Sequence, residues 1–156
     1  MNAQRFKDIG IGILFVLAQL LMFRHLKFYH TGADLVLVYI IWYMLHRTRT
    51  GSIFMAAGLG LLYDMLLDTW GVHMFSKTLI AFSLYNFMPR LTEFRLSVGQ
   101  IFLLVLGVAL FHNIVFLGIT SFLDAFAEDL FFWRHWLGNS LYTALVGSFL
   151  YLFFND

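Results

Sequence analysis

The sequence predicts an all-α, polytopic membrane protein with six transmembrane helices, and two observations carry that prediction. The chain of 156 residues is 61% hydrophobic and only 12% charged, whereas a soluble domain carries about 25% charged residues. It also divides into six apolar segments with short polar stretches between them. At about 20 residues per span, six spans use most of the chain. We therefore expect residues 1–156 to form a single transmembrane domain.

The first of the six segments resembles a signal peptide, because Arg5 and Lys7 precede an apolar run. No small-x-small cleavage site comes before Arg24, so we interpret the run as a retained first helix. The six segments lie at residues 9–23, 34–45, 52–67, 72–88, 96–122 and 136–154.

The second segment is the shortest, with 12 residues, and a run of that length is also compatible with a re-entrant or interfacial helix. Flanking His30, His46 and Arg47 extend it if their side chains snorkel. The polar loop 46–51 separates it from the third segment. Pro89 ends the fourth segment, because the residue before a proline avoids helical geometry.

Lysine and arginine residues outside the apolar segments predict the orientation of the chain. With the N-terminus inside, the inner loops carry Arg5, Lys7, Arg47, Arg49, Arg90 and Arg95. The outer loops carry Arg24, Lys27 and Arg134. The bias predicts that both termini lie in the cytoplasm, and counting Lys77 on the outer side does not reverse it.

Four ionisable residues interrupt the apolar stretch 58–81: Asp64, Asp68, His73 and Lys77. Each such group costs a few kcal/mol in hydrocarbon, so we expect them to form a buried polar cluster. In a hairpin that turns at residues 69–71, two residues on opposite helices lie at the same depth when they are about equally far from the turn in sequence. This rule predicts an Asp64–Lys77 pair and an Asp68–His73 pair. The sequence leaves open whether the cluster only fixes the hairpin register or also conducts ions or protons.

Polar and small residues in the last two segments predict contacts between helices. His112, Asn113 and Asn139 are candidates for interhelical hydrogen bonds. In the sixth segment a small residue recurs at every fourth position, at Ser140, Ala144 and Ser148. Such a stripe lets another helix approach closely. That helix belongs either to this chain or to a partner protein.

The segment 121–135 carries a further candidate surface for a partner. Three apolar residues recur at every fourth position: Phe122, Phe126 and Leu130. Asp124 and Glu128 lie roughly opposite on a helix, whereas helices on a membrane surface usually carry basic residues there. We therefore expect an apolar or basic protein surface to bind this segment; the alternatives are a passive interfacial helix and a solvated acidic loop.

Several functional classes find no support in the sequence. The chain has no cysteine, which excludes disulfides and thiolate chemistry. It has no G-x-S-x-G, H-E-x-x-H or phosphate-binding glycine motif. Its net charge of +1 comes without the basic block that is typical of nucleic-acid binding, and two Asp and one His beside a lysine make a poor metal site. We expect no enzyme activity, no cofactor, no metal and no nucleic-acid partner.

Three motifs follow one another in the first half of the chain. They are Gly32-Ala33-Asp34-Leu35-Val36-Leu37, Gly58-Leu59-Gly60-Leu61-Leu62-Tyr63-Asp64, and Trp70-Gly71-Val72-His73-Met74 before a helix that ends at Pro89. In their order and spacing they resemble the bacterial MreD family of rod shape-determining membrane proteins. Ala33 stands where that family usually has proline, and Met74 follows the histidine of the third motif.

The resemblance implies a non-enzymatic scaffold subunit of the cell-elongation complex, which synthesises peptidoglycan, in the bacterial cytoplasmic membrane. The implied partners, besides the lipid bilayer, are an MreC-like single-span membrane protein and, through it, the glycosyltransferase RodA, a penicillin-binding transpeptidase and the actin-like MreB.

The implied fold is similar to that of the substrate-binding subunits of energy-coupling-factor transporters, so vitamin capture is the alternative function. Those subunits usually dock through an Ala-x-x-x-Ala stripe on the first helix. Gly10, Gly12 and Ala18 do not form that stripe, which favours the scaffold.

Overall fold

The computed structural model describes residues 3–23, 32–89, 96–122 and 132–154, and over these ranges the chain is helical and contains no strand. The described ranges contain six α-helices: α1 (Ala3–Ala18), α2 (Leu35–His46), α3 (Arg49–Leu67), α4 (Val72–Leu84), α5 (Val98–Phe122) and α6 (Phe132–Phe154). A π-helical turn, Gln19–Phe23, prolongs α1, and a 3₁₀ turn, Tyr85–Phe87, prolongs α4. The all-α prediction is confirmed for the described residues, with α1 and α6 beginning several residues earlier than expected.

Helix α2 is the centre of the bundle. Of its residues only Trp42 and His46 are not buried, and it contacts each of the other five helices. Because 12 residues of helix measure about 18 Å, α2 is much shorter than the hydrocarbon layer, which is about 30 Å thick. The other helices surround α2, so it does not lie on the surface of the bundle; that the second segment spans the membrane or re-enters it stays a prediction.

The two sides of α2 pack into two apolar clusters. On one side, Tyr39 packs with Val16 of α1 and Leu59 of α3. On the other side, Ile41 packs with Val105 of α5 and Ala144 of α6. Since α2 is apolar on both sides, it is typical of a fully buried helix rather than an amphipathic one.

Helices α3 and α4 form a hairpin whose close approach depends on glycine. A Cβ atom at Gly60 would lie 2.5 Å from the Cα of Met74 and 2.9 Å from the carbonyl oxygen of His73, so a side chain at this position would force the two backbones apart. The turn between the helices passes through two residues with positive φ, Asp68 at 55° and Gly71 at 82°.

The small-residue stripe of α6 lies inside the chain. Ser140, Ala144 and Ser148 are all buried, and the Oγ of Ser140 accepts a hydrogen bond from Asn113 of α5 at 2.8 Å. The partner-protein alternative for this stripe is therefore wrong, because α5 packs along α6 and the stripe is buried within this chain. A stripe that permits close approach does not by itself identify the approaching helix.

Two of the described helices, Arg49–Leu67 and Val98–Phe122, are long and apolar enough to cross a membrane. Helix α6 in addition exposes apolar residues at every fourth position: Leu137, Leu141, Leu145 and Phe149. A row of this kind on the outer surface of a bundle is typical of a helix that faces lipid or a partner.

Candidate functional site

A buried ion pair closes the N-terminal end of α2. Asp34 is the N-cap of this helix, and its Oδ1 accepts a hydrogen bond from the backbone N–H of Leu37 at 2.8 Å. Its Oδ2 binds the Nζ of Lys77 in α4. The Lys77 side chain is fully buried, whereas 18% of the Asp34 side chain is exposed. One carboxylate therefore both caps α2 and ties it to α4.

The prediction that Asp64 pairs with Lys77 is wrong, because Lys77 pairs with Asp34. Equal distance from the turn specifies depth along a hairpin, but it does not specify the direction in which a side chain leaves its helix. Ser76 and Lys77 lie on the buried face of α4. From there the Nζ of Lys77 pairs with Asp34 at the start of α2, and its contact with α3 is to the Tyr63 ring, whose centre is 5.9 Å away.

Asp64 instead caps the helix that follows its own. It accepts hydrogen bonds from the backbone N–H groups of His73 at 3.0 Å and Met74 at 2.8 Å, and from the Thr69 hydroxyl at 2.7 Å. The N-cap position of α4 is Gly71, which has no side chain to satisfy these N–H groups. A carboxylate at a helix N-terminus also interacts favourably with the helix dipole.

Asp68 and His73 do not form the predicted second pair. Asp68 is the left-handed C-cap of α3 and is exposed, so it does not belong to the buried cluster. The ring of His73 packs between Tyr63, with ring centroids 4.6 Å apart, and Phe116, at 4.8 Å. Equal depth in the hairpin does not bring the two side chains together, because Asp68 is exposed at the end of α3 while the His73 ring lies between two aromatic rings.

Side chains from α6 and from the π turn after α1 accept hydrogen bonds from three further N–H groups just before and at the start of α2. The Oδ1 of Asn139 accepts from the backbone of Gly32 at 2.9 Å, and the Thr143 hydroxyl accepts from that of Asp34 at 3.0 Å. Gln19 accepts from the backbone of Val36 at 3.1 Å. Since buried N–H groups are costly to leave unpaired, these bonds fix α2 against both ends of the chain.

His112 and Asn113 of α5 contact different helices. The Nε2 of His112 lies 3.3 Å from the Ser76 hydroxyl of α4, while Asn113 donates to Ser140 of α6. The buried Nδ1 atoms of His112 and His73 have no hydrogen-bond partner among the described residues.

A second ion pair, which the sequence did not predict, holds the C-terminal end of α2. The Nε of Arg47 lies 2.9 Å from the Oδ2 of Asp8 in α1, and the Nη2 donates to Oδ1 at 3.1 Å. The Tyr39 hydroxyl donates to the backbone oxygen of Asp8 at 2.5 Å, and the Tyr85 hydroxyl donates to that of Arg47 at 2.6 Å. The only signal was a single acid, Asp8, among basic residues at the start of an apolar segment.

The contacts of these clusters lie within the chain. The buried carboxylates Asp8, Asp34 and Asp64 are each engaged by partners within the chain. In the part of the chain that the structure describes, no group of three or more His, Asp or Glu residues is placed to hold a metal ion. The arrangement fixes the position of α2 at both of its ends.

The structure describes the beginning of segment 121–135, the predicted partner surface. Phe122, the last residue of α5, is 94% exposed. Phe126 and Leu130 lie outside the described residues.

Comparison with known proteins gives one match. The model of a protein family described as rod shape-determining protein MreD matches residues 8–156, a range that begins at the Asp8 of the second ion pair and includes every residue of both clusters. No curated protein and no solved structure matches.

Proposed function

This chain belongs to the MreD family of rod shape-determining proteins, and we propose that it is a non-enzymatic membrane scaffold of the bacterial cell-elongation complex. The family match over residues 8–156 carries the proposal, because it covers nearly the whole chain. The contacts of Asp34, Lys77 and Asp64 also support the scaffold proposal, because they hold helices together, as a rigid scaffold requires. We accordingly assign the buried polar residues a structural role rather than ion or proton conduction.

We further propose that the six-helix bundle lies in the bacterial cytoplasmic membrane, with the short α2 enclosed by the other helices and both termini in the cytoplasm. Arg5, Lys7, Arg47 and Arg49 lie at the same end of the described bundle, where α1 begins and α2 ends. Basic residues concentrate on the cytoplasmic side of membrane proteins. A reporter enzyme that is active only outside the cytoplasm, fused after Asp156, should be inactive; activity would contradict this topology.

The proposed partners are an MreC-like single-span protein and, through it, RodA, a penicillin-binding transpeptidase and MreB. The proposed contact is the segment that begins at Phe122, since a side chain with 94% exposure at the end of a membrane helix is available to another protein. Aromatic residues of this kind are enriched at protein interfaces.

Site-specific crosslinking in living cells tests the partner proposal. A photo-crosslinking residue placed at 122, 126 or 130 should form an adduct with an MreC-like chain. Phe87 is the matched control position, because it is also an exposed phenylalanine (81%) but lies beyond α4, at the opposite end of the bundle. Adducts with lipid alone at all four positions would contradict the proposed surface.

Gentle purification of the chain with its native neighbours separates the scaffold from vitamin capture. The scaffold proposal predicts recovery of peptidoglycan-synthesis proteins. Recovery of a paired-ATPase transporter module in their place would favour the substrate-binding alternative.

A further inference from the structure

A groove runs along the outside of the bundle between α1 and α3. Its volume is about 910 Å³, within the range of about 300–1,000 Å³ that is typical of ligand sites. Ile9 and Ile13 of α1 form one wall, and Phe54 and Gly58 of α3 form the other. All four residues are exposed, so the groove opens towards the surroundings of the bundle.

One end of this groove, its mouth, is basic. Arg5 and Arg47 line it together with the first turn of α3, whose N-cap is Thr48. Arg47 is already paired with Asp8, whereas Arg5 forms no ion pair within the described residues. A helix N-terminus adds partial positive charge, so the mouth attracts an anion.

The rest of the groove is apolar and has a defined length. From Phe54 to Leu62 its α3 wall extends over two turns, which is about 12 Å of helix. One leaflet contributes about half of a hydrocarbon layer that is about 30 Å thick, so the wall is nearly as long as the acyl region of one leaflet. A Cβ atom at Gly58 would meet nothing within 4 Å, so this part of the wall leaves room for a chain of methylene groups.

We propose that the α1–α3 groove binds an anionic phospholipid, with the phosphate at Arg5 and one acyl chain beside Gly58. The basic mouth and the apolar walls match the two halves of such a molecule, and basic pockets between membrane helices are known to bind anionic headgroups. We favour a phospholipid over an apolar helix of a partner protein, because such a helix would bring no anion to pair with Arg5. This site is independent of the partners named above, so their absence would not affect it.

Native mass spectrometry of the full chain, released from nanodiscs, tests the site. With nanodiscs of phosphatidylglycerol and phosphatidylcholine in equal amounts, the protein should retain phosphatidylglycerol preferentially. Arg5→Gln should weaken that preference about fivefold, as expected for the loss of one basic residue near a membrane surface.

Arg49→Gln is the matched charge control. Arg49 lies at the same end of α3, but its Nη2 donates to the Phe82 carbonyl at 3.3 Å and its guanidinium stacks 5.1 Å from the centre of the Phe82 ring. It therefore points to α4 and away from the groove, and its loss should leave the preference unchanged. Equal losses for Arg5→Gln and Arg49→Gln would overturn the site, since they would indicate a general charge effect.

Gly58→Leu tests the acyl part without changing the charge. The new side chain fills the groove and should release the lipid, whereas Gly107→Leu, at another exposed glycine with open space, should not. Inorganic phosphate or glycerol phosphate that displaces the lipid at low concentration would overturn the proposal in favour of a free anion. Release of a bound single-span protein by Gly58→Leu, with unchanged lipid retention, would overturn it in favour of a partner helix.

Discussion

The two ends of helix α2 are each held by an ion pair, but in different surroundings. At the N-terminal end, Lys77 is fully buried and Asp34 is only 18% exposed; at the C-terminal end, Asp8 is 2% exposed but Arg47 is 32% exposed. The N-terminal end of α2 is therefore the more closed of the two, and the C-terminal end, where Arg47 is exposed, is the more open. We expect the closed end to be more sensitive to the loss of one charge than the open end, because an unpaired charge is more costly where it is buried.

The largest effect is expected at the closed end. Lys77→Met should lower the free energy of unfolding by about 3–5 kcal/mol, because it leaves Asp34 buried without a counter-charge. Adding Asp34→Asn should recover part of that loss, since no charge then remains uncompensated. Unfolding of the purified protein in mixed micelles measures both variants.

Asp64→Asn is the control for this pair. Combined with Lys77→Met it should give additive losses, because the structure places no contact between the two side chains. If Asp64→Asn, and not Asp34→Asn, recovered stability in the Lys77→Met background, Asp64 rather than Asp34 would be the partner of Lys77.

A smaller effect is expected for Asp64, which is also buried near the N-terminal end of α2 but forms hydrogen bonds rather than an ion pair. Asp64→Ala should cost about 2 kcal/mol, the upper part of the range for a capping residue, because two N–H groups of α4 lose their acceptor. Asp68→Ala, an exposed acid four positions further on, should stay within about 0.5 kcal/mol. Similar losses in thermal unfolding would show that Asp64 is no cap.

At the open end, Arg47→Gln should cost about 1–2 kcal/mol, between the values for exposed pairs and buried pairs. Raising the salt concentration should reduce this loss and leave that of Lys77→Met nearly unchanged, because buried charges are screened much less. Unfolding at two ionic strengths measures the difference. An equal salt response of the two variants would remove the distinction between the ends.

The smallest effect concerns a single hydrogen bond at the open end. Tyr85→Phe removes the donor to the Arg47 carbonyl and should cost about 1 kcal/mol. Tyr142→Phe, which removes a hydroxyl without a hydrogen bond among the described residues, should change the free energy of unfolding by less than about 0.5 kcal/mol. A loss at Tyr142 as large as that at Tyr85 would contradict the assigned bond.

The helices were predictable from the sequence because apolar segments and the polar stretches between them are local signals. The turn after Asp68 and the end of the fourth segment near Pro89 were visible for the same reason. The burial of Asp64 and Lys77 was also predictable, since ionisable groups in an apolar stretch need partners.

The partners themselves were not predictable, because they come from distant parts of the chain. Asp34 lies 43 residues before Lys77 and Asp8 lies 39 before Arg47, and no periodicity within one segment relates them. The central position of α2 was not predictable for a related reason: its short length was compatible with a spanning, a re-entrant or an interfacial helix, and its burial depends on contacts with all the other helices.

The distance in sequence between Asp34 and Lys77 also has a consequence for how the protein is made. At a synthesis rate of about 5–20 residues per second, the 43 residues between them take about 2–9 s to appear. During that interval the nascent chain contains the short apolar helix and the carboxylate at its end, while the lysine that neutralises this carboxylate has not yet been synthesised. We therefore expect stable packing of α2 to wait for α4, so that the first half of the protein assembles as one cooperative unit rather than helix by helix.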